Sequence, residues 1–243
     1  MVGLLQWDTD FFKRKIGVLS GDLASPSAVM ADLELARAAG FEYLTCRPSV
    51  DDAAAIRTLE AAGFYLTDVG VTWSADAAQY LRTAPAVSPA VRPATPADLP
   101  LLSAEAVRLF RRSRFYSDPF FTDAEADRLH VAWLANSVAG TAADVVLITP
   151  DAGFVTCKIT QDGNGGVPLI GVWEQSRKRG AGRELMTAAV GWFAGRGAPL
   201  VRVKTQVKNL RAMNFYHRLG FDLHETDMTM CCILQGPGVG GRT

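Results

Sequence analysis

The run Leu169–Met186, LIGVWEQSRKRGAGRELM, holds the residues best suited to chemistry. It reads as a buried strand (Leu169, Ile170, Val172), a basic turn, and a helix opening near Gly182. Glycines at 180 and 182 let the backbone turn tightly and approach a ligand closely. Free N–H groups at a helix start, reinforced by the helix dipole, make a seat for phosphate. Arg177, Lys178, Arg179 and Arg183 surround Gly180, Ala181 and Gly182 with enough charge for more than one phosphate. A plain turn between packed elements is the competing account. A second basic cluster, Arg111, Arg112 and Arg114 with Tyr116 close behind, suits a nucleotide diphosphate and its base, because guanidinium forks match phosphate oxygens. A solvated helix end explains that cluster equally well.

Composition narrows the classes. Lys+Arg and Asp+Glu are equal at 25 each, so no global basic field exists for nucleic acid or an anionic membrane. No apolar run approaches the roughly 20 residues that span a bilayer. The start, MVGLLQWDTDFF, lacks a basic region and does not read as a signal peptide. Four cysteines without a CxxC pair, and only three histidines, suggest neither a disulfide framework nor a metal site. A cytoplasmic protein is expected, with monomer and homodimer both open.

Around the basic turn, helix formers and glycine stops place the positioning elements. Helices are expected at Val29–Ala38, Asp52–Ala62, from Ala97 or Asp98 to Leu109, at Asp123–Val138, from Gly182 to Gly195 or Gly197, and at Leu210–Leu219. Strands are expected at Phe41–Arg47, Phe64–Trp73, Val145–Thr149, Gly153–Thr160, Leu200–Gln206 and Met228–Leu234, with a hairpin turn at Gly163–Gly166. Prolines at 85, 89, 93, 96 and 100 mark a linker. The five tryptophans are expected in the core, and His130, His217 and His224 in structural positions. An internal repeat emerges when Gly40 is laid on Gly197, an offset of 157 residues (197 − 40). Residues 55–64 then fall on 212–221, and both copies run helix, Gly, strand, helix, Gly-Phe, strand. At the loop, Lys178–Gly182 faces Gly21–Ser25, where the cations and second glycine are missing, and Tyr216 faces Leu59. Only the second copy is therefore expected to bind a phosphate ligand.

Arg177-Lys-Arg-Gly-Ala-Gly182 followed by Asn209-x-x-Ala212-x-x-x-Tyr216-x-x-x-Gly220-Phe221 resembles the GNAT superfamily of acyl-CoA N-acetyltransferases. Trp7–Phe12, Ser113–Phe115, Trp133–Thr141, Gly180–Met186 and Thr205-Gln-x-x-Asn209 are further similar to the members that acetylate the 4-amino group of a dTDP-linked 4-amino-4,6-dideoxyhexose. The resemblance implies an α/β (α+β) fold of tandem GNAT-like architecture with a central mixed sheet. Residues 1–83 would form a truncated lobe, 84–96 a Pro-rich linker, 97–235 the catalytic domain and 236–243 a flexible tail.

It also implies acetyl-CoA as co-substrate without a metal, and a nucleotide-linked amino sugar as small-molecule acceptor. Pyrophosphate would sit on residues 177–183, with the Ile170-Gly171-Val172 backbone, Asn209 and Ala212 along the pantetheine arm. An N–H at or near Val172 would serve as oxyanion donor. Tyr216, a phenol protonated at neutral pH, would protonate the departing thiolate. Asp68 stands where the resembling enzymes place an acidic base, and Glu174 is its rival. Two other functions stay open: a GNAT enzyme for another amine (an aminoglycoside-like metabolite or a peptide), and a non-catalytic acyl-CoA-binding module.

Overall fold

A computed structural model describes residues 1–235, and the tail expected at 236–243 lies outside the described residues. In chain order the elements are β1 (Val2–Leu4), α1 (Gln6–Phe12), β2 (Ile16–Leu19), α2 (Pro26–Ala38), β3 (Tyr43–Cys46), α3 (Ala53–Ala61), β4 (Tyr65–Asp76) and α4 (Ala77–Thr83). They continue with β5 (Arg92–Pro93), α5 (Leu99–Leu109), α6 (Arg114–Ser117), α7 (Asp123–Val138), β6 (Val145–Thr149), β7 (Gly153–Ile159) and β8 (Gly165–Val167). The last are β9 (Ile170–Val172), α8 (Ala181–Ala194), β10 (Leu200–Gln206), α9 (Leu210–Arg218) and β11 (Asp222–Ile233). Helix α8 thus opens one residue before Gly182, and β11 begins six positions before the expected Met228. The first twenty residues carry β1, α1 and β2, which lie outside the expected elements.

All strands join one mixed sheet, ordered β1-β2-β3-β11-β4-β10-β8-β7-β6-β5, with β9 paired only to β7. The repeat is exact at its centre. Adding 157 to α3 and β4 gives α9 and β11 residue for residue. Gly40 and Gly197 share φ 78°, and Gly63 and Gly220 have φ 91° and 82°. At such angles a side chain is disfavoured, so glycine ends each helix.

The two copies have exchanged their closing strands. β11 of the second copy pairs with β3 of the first, Ile233 opposite Tyr43; β4 of the first pairs with β10 of the second, Asp76 opposite Leu200. These registers are images of each other under the 157-residue offset. In the middle β4 and β11 run antiparallel, with Gly70 opposite Asp227, its own image. A pseudo-two-fold axis therefore passes between these two residues.

Period-two alternation divides the faces. On β11, Met230 and Cys232 pack with Leu33 of α2 and Leu59 of α3, while Cys231 between them joins Tyr43, Phe115 and Leu129 on the other side. Val71 and Trp73 of β4 pack with Leu185 and Phe193 of α8 and with Tyr216. Because Val69 is opposite Met228, α2, α3, α8 and α9 share one face, and α1 and α5–α7 cover the other. Trp73 and Trp173 are buried as expected, but Trp7 is 42% exposed, because α1 turns it outward to stack on Phe11 at 5.0 Å. Packing is tight where α8 crosses β8: a Cβ on Gly165 would lie 2.5 Å from the Phe193 ring. Gly165→Ala is expected to cost about 1–3 kcal/mol by overpacking, read from urea denaturation of the two proteins.

Candidate active site

β8 pairs in parallel with β10 at Val201–Val203, after which the two part company. The chain passes Pro168 and continues as β9 against β7, leaving Lys204–Gln206 without a strand partner on that side among the described residues. A wedge opens between β9 and the end of β10. Leu169 O accepts from Thr156 N at 2.8 Å, and Trp173 N donates to Ala152 O at 2.8 Å. By the alternation of an antiparallel ladder, Ile170 and Val172 then point their amides away from β7 into the wedge. Gly171 faces the core: a Cβ there would meet Leu109 Cδ1 at 2.5 Å.

The basic turn stands at the mouth of the wedge. Arg177 Nε donates to Val172 O at 3.3 Å, tying the turn back to β9. Lys178 has φ 63° and Gly180 φ 89°, so the chain curls just before α8. Gly180 is the N-cap and supplies no capping side chain. None of the N–H groups from Lys178 to Arg183 makes a close hydrogen bond with another described residue. Gly182 lets α8 approach α9, since a Cβ would stand 3.1 Å from the Phe215 ring. Successive free amides at a helix start, ringed by cations, form a nest for anions.

The first copy fills its own nest. Its Gly21 also has positive φ, at 105°, where Lys178 stands in the second copy. Asp22 then accepts from Ala24 N at 3.2 Å, and Ser25 caps α2 by accepting from Ala28 N, with Pro26 removing the next donor. Under the offset Ala24 falls on Ala181 and Pro26 on Arg183, so an internal carboxylate takes one of the amides that the second copy leaves open and a proline deletes another.

Tyr216, on α9, is only 3% exposed and packs against Trp73 and Phe221. Its hydroxyl makes no hydrogen bond among the described residues, and burial holds the phenol's pKa above its ordinary value. Asn209 caps α9: its Oδ1 accepts from Ala212 N at 3.4 Å and its Nδ2 donates to Thr205 Oγ1 at 3.3 Å. Asp52 caps α3 in the same way, so the cap belongs to both copies and Tyr216 to one.

Asp68 and Arg114 come together on the face opposite α9. Asp68 is half-buried on β4, next to Val69, whose carbonyl accepts from Val207 N at the end of β10. Burial raises its pKa, while the charges of Lys208, Arg114 and Lys204 oppose that rise. Arg112 Nη1 donates to Lys208 O at 3.3 Å and Lys208 Nζ to Ser117 Oγ at 3.2 Å, fastening the basic segment over the end of β10. Arg114 lies on the Phe115 ring at 4.3 Å and donates to Tyr43 OH at 3.3 Å. Tyr43 and Tyr65 both donate to Asp118, which locks this corner.

Other expected residues stand apart. Glu174 is exposed on a single 3-10 turn and pairs with Arg177 at 3.6 Å. Tyr116 donates to Asp127 Oδ1 at 2.7 Å and stacks on His130, turned toward α7. His130 is buried, with Nδ1 2.6 Å from Ala126 O, and burial lowers its pKa, as befits a neutral structural imidazole. Lys208 was not singled out in the sequence; its position one residue before Asn209 was the one available signal.

Comparison with known proteins agrees with this geometry. Residues 101–221 match the model of the Acetyltransferase (GNAT) family. Over 134 residues the chain is 31% identical to dTDP-fucosamine acetyltransferase of Escherichia coli O6:H1 (strain CFT073), covering 53% of this chain and 57% of that one. The chain thus spans little more than half the length of that relative. A GCN5-related N-acetyltransferase of Sphaerobacter thermophilus superposes with TM-score 0.63 at 14% identity, covering 97% of this chain and 76% of the other. A tandem GNAT protein from the clavulanic acid biosynthesis pathway superposes with TM-score 0.54 at 15% identity, over 87% and 70% of the two chains. The chain carries an acetyltransferase domain of the GNAT family, set in a tandem arrangement of that fold.

Proposed function

We propose that this protein is a cytoplasmic N-acetyltransferase that moves the acetyl group of acetyl-CoA to the amine of a nucleotide-linked amino-deoxy sugar, of the dTDP-4-amino-4,6-dideoxyhexose type. Residues 1–83 serve as a degenerate lobe, 84–96 as the linker and 97–235 as the catalytic lobe. The observation that carries the reading is the pairing of an open nest with Tyr216, where the first copy has a plugged nest and Leu59. The tyrosine ring is buried, and its hydroxyl makes no hydrogen bond among the described residues and is free to donate to a ligand. The acceptor class is supported by the similarity to dTDP-fucosamine acetyltransferase and by Arg112, Arg114 and Lys208 beside Asp68.

The nest amides and Arg177, Lys178, Arg179 and Arg183 hold the pyrophosphate. Free amides of Ile170 and Val172 hold the pantetheine arm in the wedge, and exposed Val207 and Leu210 give it apolar cover. Asp68 draws the proton from the sugar ammonium, directly or through water, leaving a neutral amine to attack the thioester carbonyl. The Val172 N–H stabilises the oxyanion that develops. Tyr216 hydrogen-bonds the leaving sulfur and delivers its proton as the C–S bond breaks. The second proton, which the nitrogen sheds on becoming an amide, passes through water to restore the phenol. Burial disfavours a free thiolate as much as a phenolate, so sharing the proton lowers the barrier.

The test is release of free thiol from acetyl-CoA against a panel of dTDP- and UDP-linked amino sugars, aminoglycosides and peptides. Turnover is expected on 4-amino-4,6-dideoxyhexoses linked to dTDP. Activity on peptides alone would sink the acceptor assignment, and coenzyme A binding without turnover on any amine would leave only a binding module.

A further inference from the structure

A cavity of about 490 Å³ opens at the centre of the sheet, on the face that carries Asp68. On that face α1, α6 and α7 pack over Tyr43 and Cys231, and α5 packs farther along over Val146 and Phe154. The hollow between them is polar. Arg47 and Ser49 from the loop after β3, Thr72 of β4, Lys204 of β10, and Glu225 and Asp227 of β11 line it. Thr72 stands opposite Lys204 on one side and Glu225 on the other. Lys204 pairs with Asp227, whereas Arg47 and Glu225 form no ion pair among the described residues. Asp68 and Thr72 share one face of β4, four residues or roughly 13 Å apart. Gly70 lies between them and gives up its space to its neighbours: a Cβ there would meet Lys204 Cε at 2.4 Å and Asp227 Oδ2 at 2.7 Å.

The repeat relates this hollow to the acceptor side. Under the 157-residue offset Asp68 falls on Glu225, Arg47 on Lys204 and Thr72 on Thr229. Asp68 stands opposite Thr229 in the sheet, and Glu225 opposite Thr72. The hollow is therefore the pseudo-two-fold image of the Asp68 site, with an acid, a cation and a hydroxyl of its own. The nest on its side of the axis is the plugged one, so it has polar groups for recognition and no donor site to serve.

We propose that this hollow holds the nucleoside diphosphate end of the acceptor whose amine meets Asp68, and that Arg47 sets the preference for a nucleotide-linked amine. This rests on the reading of the acceptor as a nucleotide-linked amino sugar. The hexose and diphosphate span the interval from Asp68 to Thr72, passing over Gly70 beside Lys204. Arg47 and Lys204 then hold the diphosphate from two sides, since a guanidinium without a protein partner can fork onto phosphate oxygens. Glu225 and Thr72 accept from the N–H and O–H groups of the base and pentose. The volume is in the range of small-molecule sites. An amino sugar without a nucleotide would leave these groups in water and gain nothing from them.

Isothermal titration with dTDP, which carries no sugar, tests the placement without turnover. Wild type is expected to bind it, and Arg47→Ala to bind it about tenfold to a hundredfold more weakly, the range of one or two charged hydrogen bonds. Arg47→Lys should recover part of the loss. In steady-state turnover Arg47→Ala should raise KM for a dTDP-linked amino sugar by a like factor with kcat nearly unchanged, as befits binding remote from the reacting atoms. Arg47 is exposed, so the variant should fold, and an unaltered dissociation constant for coenzyme A checks this. Equal dTDP binding by wild type and Arg47→Ala would overturn the inference, as would a loss in Arg112→Ala that Arg47→Ala does not share. Wild type that acetylates dTDP-linked amines yet shows no binding of dTDP would overturn the placement and leave the acceptor reading standing. Turnover confined to amines without a nucleotide would remove the acceptor reading itself, and this inference with it.

Discussion

Tyr216→Phe should lower kcat by about a hundredfold to a thousandfold, the span expected for losing a positioned general acid, with the dissociation constant of coenzyme A nearly unchanged. The same change should leave stability equal or slightly raised, because the hydroxyl makes no hydrogen bond among the described residues and its removal orphans nothing. Stopped-flow turnover and thermal denaturation on one preparation separate the two effects. A core tyrosine with a merely structural part would show the reverse pattern: normal turnover and a lowered midpoint. Phe215 next to it offers a control, since it packs over Gly182 and should alter coenzyme A affinity before it alters kcat.

Asp68→Asn is the second change with a large expected effect, and pH makes it diagnostic. Burial lifts the carboxyl's pKa above its ordinary value, although Lys208, Arg114 and Lys204 pull it back. The ionised form is the base, so activity should fall as pH drops through that raised pKa, giving an acid limb displaced upward from the carboxyl's ordinary value. In Asp68→Asn that limb should vanish, with kcat/KM for the amine reduced by about a hundredfold or more at neutral pH. Activity should recover partly toward high pH, where the acceptor amine deprotonates unaided. The linked effect on stability has the opposite sense: a carboxyl with a raised folded pKa favours the folded state at low pH, and that contribution is lost as pH rises through it. Stability should therefore improve in Asp68→Asn at neutral pH. A Glu174→Gln variant with the larger loss of activity would transfer the base to that exposed residue.

Much of this arrangement was written locally. Glycine stops at 40, 63, 197 and 220 bracketed the helices and strands, and the repeat could be aligned without a gap. The basic turn announced its conformation at Gly180, whereas the left-handed backbone of Lys178 has no counterpart in its residue type. What local pattern could not carry was partnership. Nothing in Asp222–Ile233 says that it will pair with Tyr43–Cys46 rather than with its own lobe, because register depends on contacts made nearly two hundred positions away. The polar run His224–Asp227 also hid the start of β11, since those residues sit at the exposed pseudo-two-fold crossing instead of over a core. At the site, Tyr216 was legible from its spacing to Asn209. The tyrosine pair on Asp118 that fixes Arg114 was not, as Tyr43, Tyr65 and Asp118 are brought together only by the fold.

The exchange of closing strands has a consequence for synthesis. When residues 1–83 have left the ribosome, β3 is still waiting for β11, the last of the described elements in chain order. Until then its inner edge is an unpaired row of amides and carbonyls, open to pairing with any other chain. The nascent protein must spend that interval with its centre unfilled, and closure is a long-range event of the slow kind. Two chains caught together in that state could each donate β11 to the other, giving an intertwined dimer with every native contact preserved. Slowing the final step, or crowding the nascent chains, would thus shift the product from one molecule to two without changing a residue.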